Sequence, residues 1–283
     1  MEILDGLTER KIFKINSNHS IEKMDIVAIE EPMEIAIKYI EKDHTSLKTI
    51  SITMRTPGHD KYLVLGFLFS EGIIDSVSDI HDIQFKFSCT PEETIEQTVV
   101  VHIKPHLIHR VKDLNRHFYT SSSCGVCGKT TIDLAVTHCH FLLKSLERLI
   151  SLDIIYKLPN ILKSNQKLFD QTGGIHACAL FDFGGNLITI AEDVGRHNAM
   201  DKLIGHCLEN HLVPASEHIL LVSGRASFEL IQKALTIGVP ALLAIGAPSS
   251  LAIDLASSFG MSLGGFLKDG SVNIYSGIQR FNL

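Results

Sequence analysis

The chain has 283 residues, 45% of them hydrophobic, and its 26 Lys and Arg against 32 Asp and Glu give a formal net charge of −6. That length buries a large core and suffices for two domains of ordinary size, while the modestly acidic balance gives no support to bulk nucleic-acid binding. No apolar run reaches the roughly 18 residues that cross a bilayer, and Met1-Glu2-Ile3-Leu4-Asp5 lacks the basic-then-apolar pattern of a secretory signal, so membrane insertion is not expected and a cytoplasmic location with reduced thiols is.

The first half mixes strand and helix signals. Thr49 to Met54 alternates as a strand does, and Arg55-Thr56-Pro57-Gly58-His59-Asp60 turns the chain. Asp60 is placed to cap a helix carrying Tyr62 to Phe69, which Glu71-Gly72 ends. Ile83 to Cys89 and Thr98 to Ile103 read as a hairpin around Thr90-Pro91-Glu92-Glu93. A basic stretch from Lys104 to Arg116 leads to Ser121-Ser122-Ser123-Cys124-Gly125-Val126-Cys127-Gly128-Lys129, and a helix is expected from about Thr130 to Leu149.

Cys124 and Cys127 form the one cysteine pair that no apolar pattern absorbs. Cys89 continues the alternation of Ile83, Phe85 and Phe87, Cys207 joins Met200, Leu203, Ile204 and Leu208 at helical spacing, and Cys178 sits within the apolar run Ile175 to Phe181, so all three read as small buried hydrophobes. Thiols two residues apart on a glycine-flanked loop deprotonate readily and exchange with other sulfur atoms, because the thiolate is the reactive form. Structural zinc needs four ligands. The nearest completion is His138-Cys139-His140, but Cys139 follows the stripe Ile132, Ala135, Val136, Leu142, Leu143 and Leu146 toward a core, and no metal site is expected. A thiol-disulfide oxidoreductase using the same pair stays open, although Arg116-His117-Phe118-Tyr119-Thr120 is not the buried strand that would present a thioredoxin-like dithiol.

The second half is more regular. A helix near Leu158 to Phe169 precedes strands Ile175 to Phe181 and Leu187 to Ala191, joined by the turn Asp182-Phe183-Gly184-Gly185-Asn186. A helix from about Arg196 to Glu209 and a strand Ile219 to Val222 follow. Ser223 is then read as capping a helix that reaches Thr236, before strand Pro240 to Ile245, helix Ser249 to Phe259 and strand Ser262 to Leu267. This alternation predicts an α/β fold with a substantially parallel sheet. Two domains are expected: a smaller mixed α+β domain over residues 1–152, with a mobile CxxC loop near 117–129, and a three-layer sandwich over 153–283 whose element order resembles the cytidine deaminase fold. Zinc deaminases place H-x-E and P-C-x-x-C at the starts of two helices. Here those places read His197-Asn198-Ala199 and Ser223-Gly224-Arg225-Ala226-Ser227, without the glutamate and both cysteines, so deaminase chemistry is not expected.

Those positions suit an anion instead. Ser223-Gly224-Arg225 and Gly246-Ala247-Pro248-Ser249-Ser250 each follow a strand and open a helix at the sheet's carboxyl edge, where backbone N–H groups and short hydroxyls bind phosphate, although helix capping asks for the same residue types. In Glu192-Asp193-Val194-Gly195-Arg196-His197-Asn198-Ala199-Met200-Asp201-Lys202, Asp193 reads as a helix cap and Asp201 as a solvated charge, while Arg196 and His197 are placed beside the crevice and His176 is placed to face it.

Taken together, Arg55-Thr56-Pro57-Gly58, the Gly66 to Ile74 block, Cys124-Gly125-Val126-Cys127-Gly128, Thr172-Gly173-Gly174-Ile175-His176, the Glu192 to Lys202 block and Ser223-Gly224-Arg225-Ala226-Ser227 closely resemble the FdhD family, in order and from about residue 50 onward. The resemblance implies a sulfur carrier required for formate dehydrogenase activity. It implies that sulfur moves from a cysteine desulfurase to the molybdenum cofactor before insertion, with Cys124 carrying the persulfide and Cys127 as its partner. It also implies binding of the bis-molybdopterin guanine dinucleotide form of that cofactor, of which GDP is a partial mimic, through Phe266-Leu267-Lys268-Asp269-Gly270-Ser271. That segment usually closes with a basic residue. Here Ser271 stands there and Lys268 is left to supply the charge. A cytoplasmic homodimer is implied as well.

Overall fold

The computed structural model describes residues 5–17, 19–41, 44–89, 95–113, 141, 143 and 149–283. Cys124, Cys127, His138 and Cys139, the Thr90–Glu93 turn and nearly all of the helix expected over Thr130 to Leu149 lie outside the described residues. The first part forms strands β1 (Leu7–Asn16), β2 (His19–Ala28), β3 (Glu31–Glu41) and β4 (His44–Arg55), helix α1 (Asp60–Ser70), strands β5 (Ile80–Cys89) and β6 (Ile95–Ile103) and helix α2 (Ile108–Asp113). After β7 (Ile150–Ser151) come α3 (Leu152–Ile155), α4 (Leu158–Asn165) and α5 (Lys167–Thr172), then β8 (His176–Asp182), β9 (Leu187–Asp193) and α6 (Arg196–Glu209). The chain continues through β10 (His218–Val222), α7 (Phe228–Thr236), β11 (Ala241–Ala244), α8 (Ser250–Ser258), β12 (Ser262–Lys268), β13 (Ser271–Ser276) and β14 (Phe281–Asn282).

The expected mixed α/β architecture is present. A six-stranded sheet has the order β13-β12-β11-β10-β8-β9, in which β10, β11 and β12 run parallel and the others join antiparallel. Its central strands carry unbroken apolar runs, Ile219–Val222 in β10 and Ala241–Ala244 in β11, because both faces are covered. Leu220, Val222 and Leu242 pack toward Leu203 of α6 and Leu230 of α7, whereas Leu221 and Leu243 pack toward Ile155, Leu158 and Leu162 of α3 and α4. A second sheet, β4-β3-β6-β5, lays Met33, Ile35, Ile37, Val99 and Val101 on Leu63, Val64 and Leu68 of α1. The same apolar cluster includes Met200, Leu203 and Ile204 of α6, so one core runs from the four-stranded sheet through α1 and α6 to the larger sheet.

The α1–α6 contact is made at backbone distance. A Cβ added to Gly66 would lie 1.8 Å from the Asp201 carbonyl oxygen, and one added to Gly205 would lie 1.9 Å from that of Tyr62. A mid-helix glycine costs about 1 kcal/mol relative to alanine, and here that cost is offset by close approach of two helices that carry much of the core. Gly66→Ala is therefore expected to destabilise by about 1–3 kcal/mol or more through overpacking, against the helix-propensity gain. Urea unfolding checks this, and a variant as stable as the native chain would show that the helices separate freely.

Several expected local features differ. Asp60 does not cap α1. The N-cap is His59, in the left-handed region at φ 58°, and Asp60 is the first helical residue, turned back to the Arg55 guanidinium at 3.1 Å. The helix expected over Leu158 to Phe169 breaks at Gln166 (φ −81°, ψ 82°), where Ser164 Oγ and Asn165 Nδ2 donate to the Ile161 carbonyl and close α4. Ser223 does not cap α7, whose N-cap is Ser227. Its hydroxyl accepts the Ala177 N–H at 2.8 Å and its own N–H donates to the Ala177 carbonyl at 2.9 Å, which extends the β8–β10 ladder by one rung.

Candidate functional site

Three loops leave the carboxyl ends of β10, β11 and β12, the edge at which open α/β sheets hold ligands. They are stitched together by their backbones. Gly246 donates to the Gly224 carbonyl at 3.0 Å, Ala226 to Ala247 at 3.1 Å, Ser249 to Ala226 at 3.0 Å and Phe266 to Gly246 at 3.1 Å. A Cβ at Gly246 would lie 2.9 Å from the Gly224 carbonyl oxygen, so glycine is what permits this approach. The structure thus unites the three sequence segments expected to form one crevice, while spending several of their N–H groups on one another. Ser249 caps α8, accepting the Ala252 N–H at 3.3 Å.

Arg225 stands exposed on the first loop and makes no hydrogen bond or ion pair among the described residues. Phe266 takes the left-handed region at φ 52° and is 49% exposed beside the Gly246 loop. Leu267 turns the other way and is buried in the α3–α4 core, which removes its side chain from the site. Lys268 pairs with Ser271 across a two-residue turn of Asp269 and Gly270, the latter at φ 72°, so these four form the tip of a hairpin beyond the sheet edge.

His176 and His197 border different cavities. His176, at the start of β8, lines a space of about 700 Å³ together with Ser223, Ile245 and the α4–α5 segment. Burial, and then the Arg196 charge, hold its imidazole below the ordinary value. His197, in the first turn of α6, lines a smaller cavity of about 320 Å³ with Asp201, Glu229 and Lys233, and its Nε2 lies 3.9 Å from the Glu229 carboxylate. Burial first, and Arg196 second, push its pKa down to about 4. It is therefore neutral at pH 7 and supplies no positive charge to an anion.

Linkage follows from that depression. The unfolded histidine binds its proton near pH 6.5 and the folded one only near 4. Stability is thus expected to fall as pH drops from about 6.5 through 4, because the unfolded state takes up the proton first. A flatter Tm-against-pH slope in His197→Gln over that window checks it, and an unchanged slope assigns the acid sensitivity to other groups.

The polar block from Glu192 to Lys202 is mainly an interlock. Glu192 accepts the N–H groups of Leu168 and Phe169 at 3.0 and 2.9 Å and so holds the start of α5. Asp193 is fully buried and pairs with Lys202 at 2.7 Å rather than serving as the helix N-cap, which is Gly195. Lys202 Nζ also donates to the Thr56 carbonyl, and Asn198 Nδ2 to that of Met54, which ties the Arg55-Thr56-Pro57-Gly58 turn to α6. Asp201 is likewise not solvated. It is 3% exposed, pairs with Lys233 at 2.7 Å and accepts from Ser70 Oγ, closing α1, α6 and α7 over one another.

Cys178 and Cys207 are buried free thiols, and burial pushes the Cys207 pKa up to about 12 and that of Cys178 higher still. Neither has thiolate character. Among the described residues no group of three or more His, Cys, Asp or Glu is arranged to hold a metal ion, and no helix is long and apolar enough to cross a membrane. The α4–α5 wall of the larger cavity was not anticipated. Its one sequence signal is Ser164-Asn165, two weak helix formers inside a helical pattern.

These features define a mixed α/β protein with three backbone-linked loops at the carboxyl edge of a partly parallel sheet. The chain belongs to the FdhD/NarQ family, whose model matches residues 28–282. It is 42% identical over 278 residues to the sulfur carrier protein FdhD of Streptomyces coelicolor, covering 97% of this chain and 95% of that one. To the protein of the same name from Sulfurisphaera tokodaii it is 41% identical over 271 residues, covering 95% and 97%. In three dimensions it matches a Desulfotalea psychrophila protein assigned as a formate dehydrogenase accessory protein, with a TM-score of 0.69 and 22% identity over 98% of this chain and 99% of the other, which shows a shared fold.

Proposed function

We propose that this protein is a sulfur carrier that serves formate dehydrogenase, loading sulfur from a cysteine desulfurase onto the molybdenum cofactor before its insertion. The observation that carries this reading is near-full-length identity to relatives named as sulfur carrier proteins, in a chain whose one unabsorbed cysteine pair is Cys124 and Cys127. A Cys124 thiolate attacks the terminal sulfur of the desulfurase persulfide. The desulfurase sulfur–sulfur bond breaks, its cysteine leaves as a thiolate, and Cys124 holds the sulfur as a persulfide. Cys127 assists as partner thiol. Mass spectrometry of the chain after incubation with a desulfurase and cysteine tests this: a sulfur adduct on Cys124 is expected, and its absence overturns the reading.

The cargo is the bis-molybdopterin guanine dinucleotide form of the cofactor, and the chain acts as a cytoplasmic homodimer. We read residues 153–283 as a cytidine-deaminase-like sandwich converted to ligand binding, with Gly224 and Ser227 where metal thiolates would stand. Support comes from these loops: an exposed Arg225 with no partner among the described residues, backbones in close contact at Gly224 and Gly246, and the exposed Phe266 beside them. Anchoring phosphates there raises the effective concentration of the cargo near the carrier sulfur.

Arg225→Ala is expected to weaken GDP binding by about 1.5–3 kcal/mol, the range for a charge-assisted hydrogen bond to phosphate, without preventing sulfur loading on Cys124. Calorimetric titration measures it. Unchanged affinity removes that contact, and no binding of GDP or intact cofactor by the native chain removes the crevice.

A further inference from the structure

Two apolar surfaces of this chain face water. The first is on the β1–β2 ribbon, which pairs from Leu7 and Ala28 out to Asn16 and His19. Phe13, Ile15 and Met24 share one of its faces by the two-residue period of strands and are between 54% and 75% exposed. The charges between them are already matched, because Lys11 and Glu22, which stand opposite Met24 and Phe13, pair with each other at 2.6 Å. A two-stranded ribbon alone is marginally stable in water and gains from a further element on its apolar face. The second surface lies on the four-stranded sheet. Leu47, Ile52 and Met54 of β4 pair with Lys38, Glu34 and Pro32, the β3 positions that alternate with Met33, Ile35 and Ile37 of the core. They therefore form a stripe on the outer face of the sheet, between 46% and 69% exposed, with Ile40 beside it. β4 is an edge strand, but the bulge at Ile50 twists that edge and works against strand addition. What remains to be covered is the face.

The two surfaces do not cover each other within one chain, since both are exposed and only Ile29 and Glu30 link the ribbon to β3. The base of the ribbon is fixed: the Ile29 N–H donates to the Gly6 carbonyl at 2.8 Å, and Leu7 is buried. Between two copies the surfaces can meet. Side chains of this size and exposure offer roughly 100 Å² each. Either surface alone falls well short of the roughly 800 Å² that each partner gives to a stable interface, whereas the two together reach about 700 Å² before any polar rim is counted. We propose that the ribbon is an exchanged arm of the homodimer, with the Phe13, Ile15 and Met24 face of each ribbon lying on the Leu47, Ile52 and Met54 stripe of the other copy. A two-fold axis makes this contact twice, closes the assembly and leaves neither surface uncovered. The inference rests on the homodimer reading and adds to it the faces that meet.

Sedimentation of the full chain over a range of concentrations measures the dimer constant. Phe13→Lys and Ile52→Glu change exposed side chains, so each variant is expected to keep the native circular dichroism spectrum. Each is expected to weaken dimerisation at least tenfold, because it sets an unpaired charge into both copies of the contact. Mixed in equal amounts, the two variants are expected to form a heterodimer at least tenfold tighter than either homodimer, since one of its contacts is native and the other sets lysine against glutamate. If either variant loses the native spectrum, Ile15→Lys and Leu47→Glu repeat the test at neighbouring positions. A native chain that stays monomeric at every concentration removes the homodimer and this contact together. A native dimer that either variant leaves intact keeps the homodimer and overturns the exchanged arm, and so does a mixture no tighter than the separate variants.

Discussion

Cys124→Ala is expected to abolish persulfide loading and, with it, activation of formate dehydrogenase, because the core thiols of Cys178 and Cys207 cannot take over. Cys178 and Cys207 are buried, and their thiols are held protonated far above neutral pH. A protonated, enclosed thiol neither attacks a donor persulfide nor admits one. The contrast makes the experiment specific. Cys207→Ala should load normally and lose only about 1 kcal/mol of stability from the vacated core contact, while Cys127→Ala should load less sulfur or release it less efficiently. Adduct mass on the intact chain, together with formate dehydrogenase activity in cells carrying each variant, separates the outcomes. Full activity in Cys124→Ala would sink the carrier mechanism, and loss of loading in Cys207→Ala would move the chemistry into the core.

The βα units of the second half were legible because the larger sheet is covered on both faces. Ile219-Leu220-Leu221-Val222 and Ala241-Leu242-Leu243-Ala244 could hardly be anything but central strands. Strands β1 and β2 were not legible, for the opposite reason. β1 and β2 form a two-stranded ribbon in which Phe13 and Ile15 are 64% and 75% exposed, so no buried face imposes an alternation on the sequence. The three loops of the crevice were found from strand-then-glycine-then-hydroxyl order, but the hydrogen bonds among them follow from how closely parallel strands deliver their ends, which spacing does not encode. Asp193 and Asp201 were misread because charge near a helix start ordinarily means a cap or a solvated face. Their partners, Lys202 and Lys233, become neighbours only when α6 folds between α1 and α7. Gln166 left no signal, since an amide within a helical pattern reads as surface until the helix breaks beneath it.

The Asp193–Lys202 pair should be where the fold is most easily broken by one substitution. Its side chains are 0% and 2% exposed and 2.7 Å apart, so neither charge has water to fall back on. Lys202→Met keeps the aliphatic length and strands the carboxylate in the core, which typically costs about 3–5 kcal/mol. That is a large share of the roughly 5–15 kcal/mol by which domains are stable. The N–H groups of Gly195 and Thr56 and the Asn198 amide still donate to Asp193, which argues for the lower half of the range. Lys61→Met is the control, because its ion pair with Glu209 lies on the surface and contributes at most about 1 kcal/mol. Urea unfolding should show a lower midpoint and unchanged slope for Lys202→Met. Asp193→Asn together with Lys202→Met should recover part of the loss, since a neutral amide keeps an acceptor for those donors and leaves no buried charge. A Lys202→Met chain within 1 kcal/mol of native would mean that Asp193 is satisfied by its N–H donors alone. In that case Lys202 would serve chiefly to hold the Thr56 and Glu192 carbonyls, and the damage would appear as loosening of α5 and of the cavity beside it.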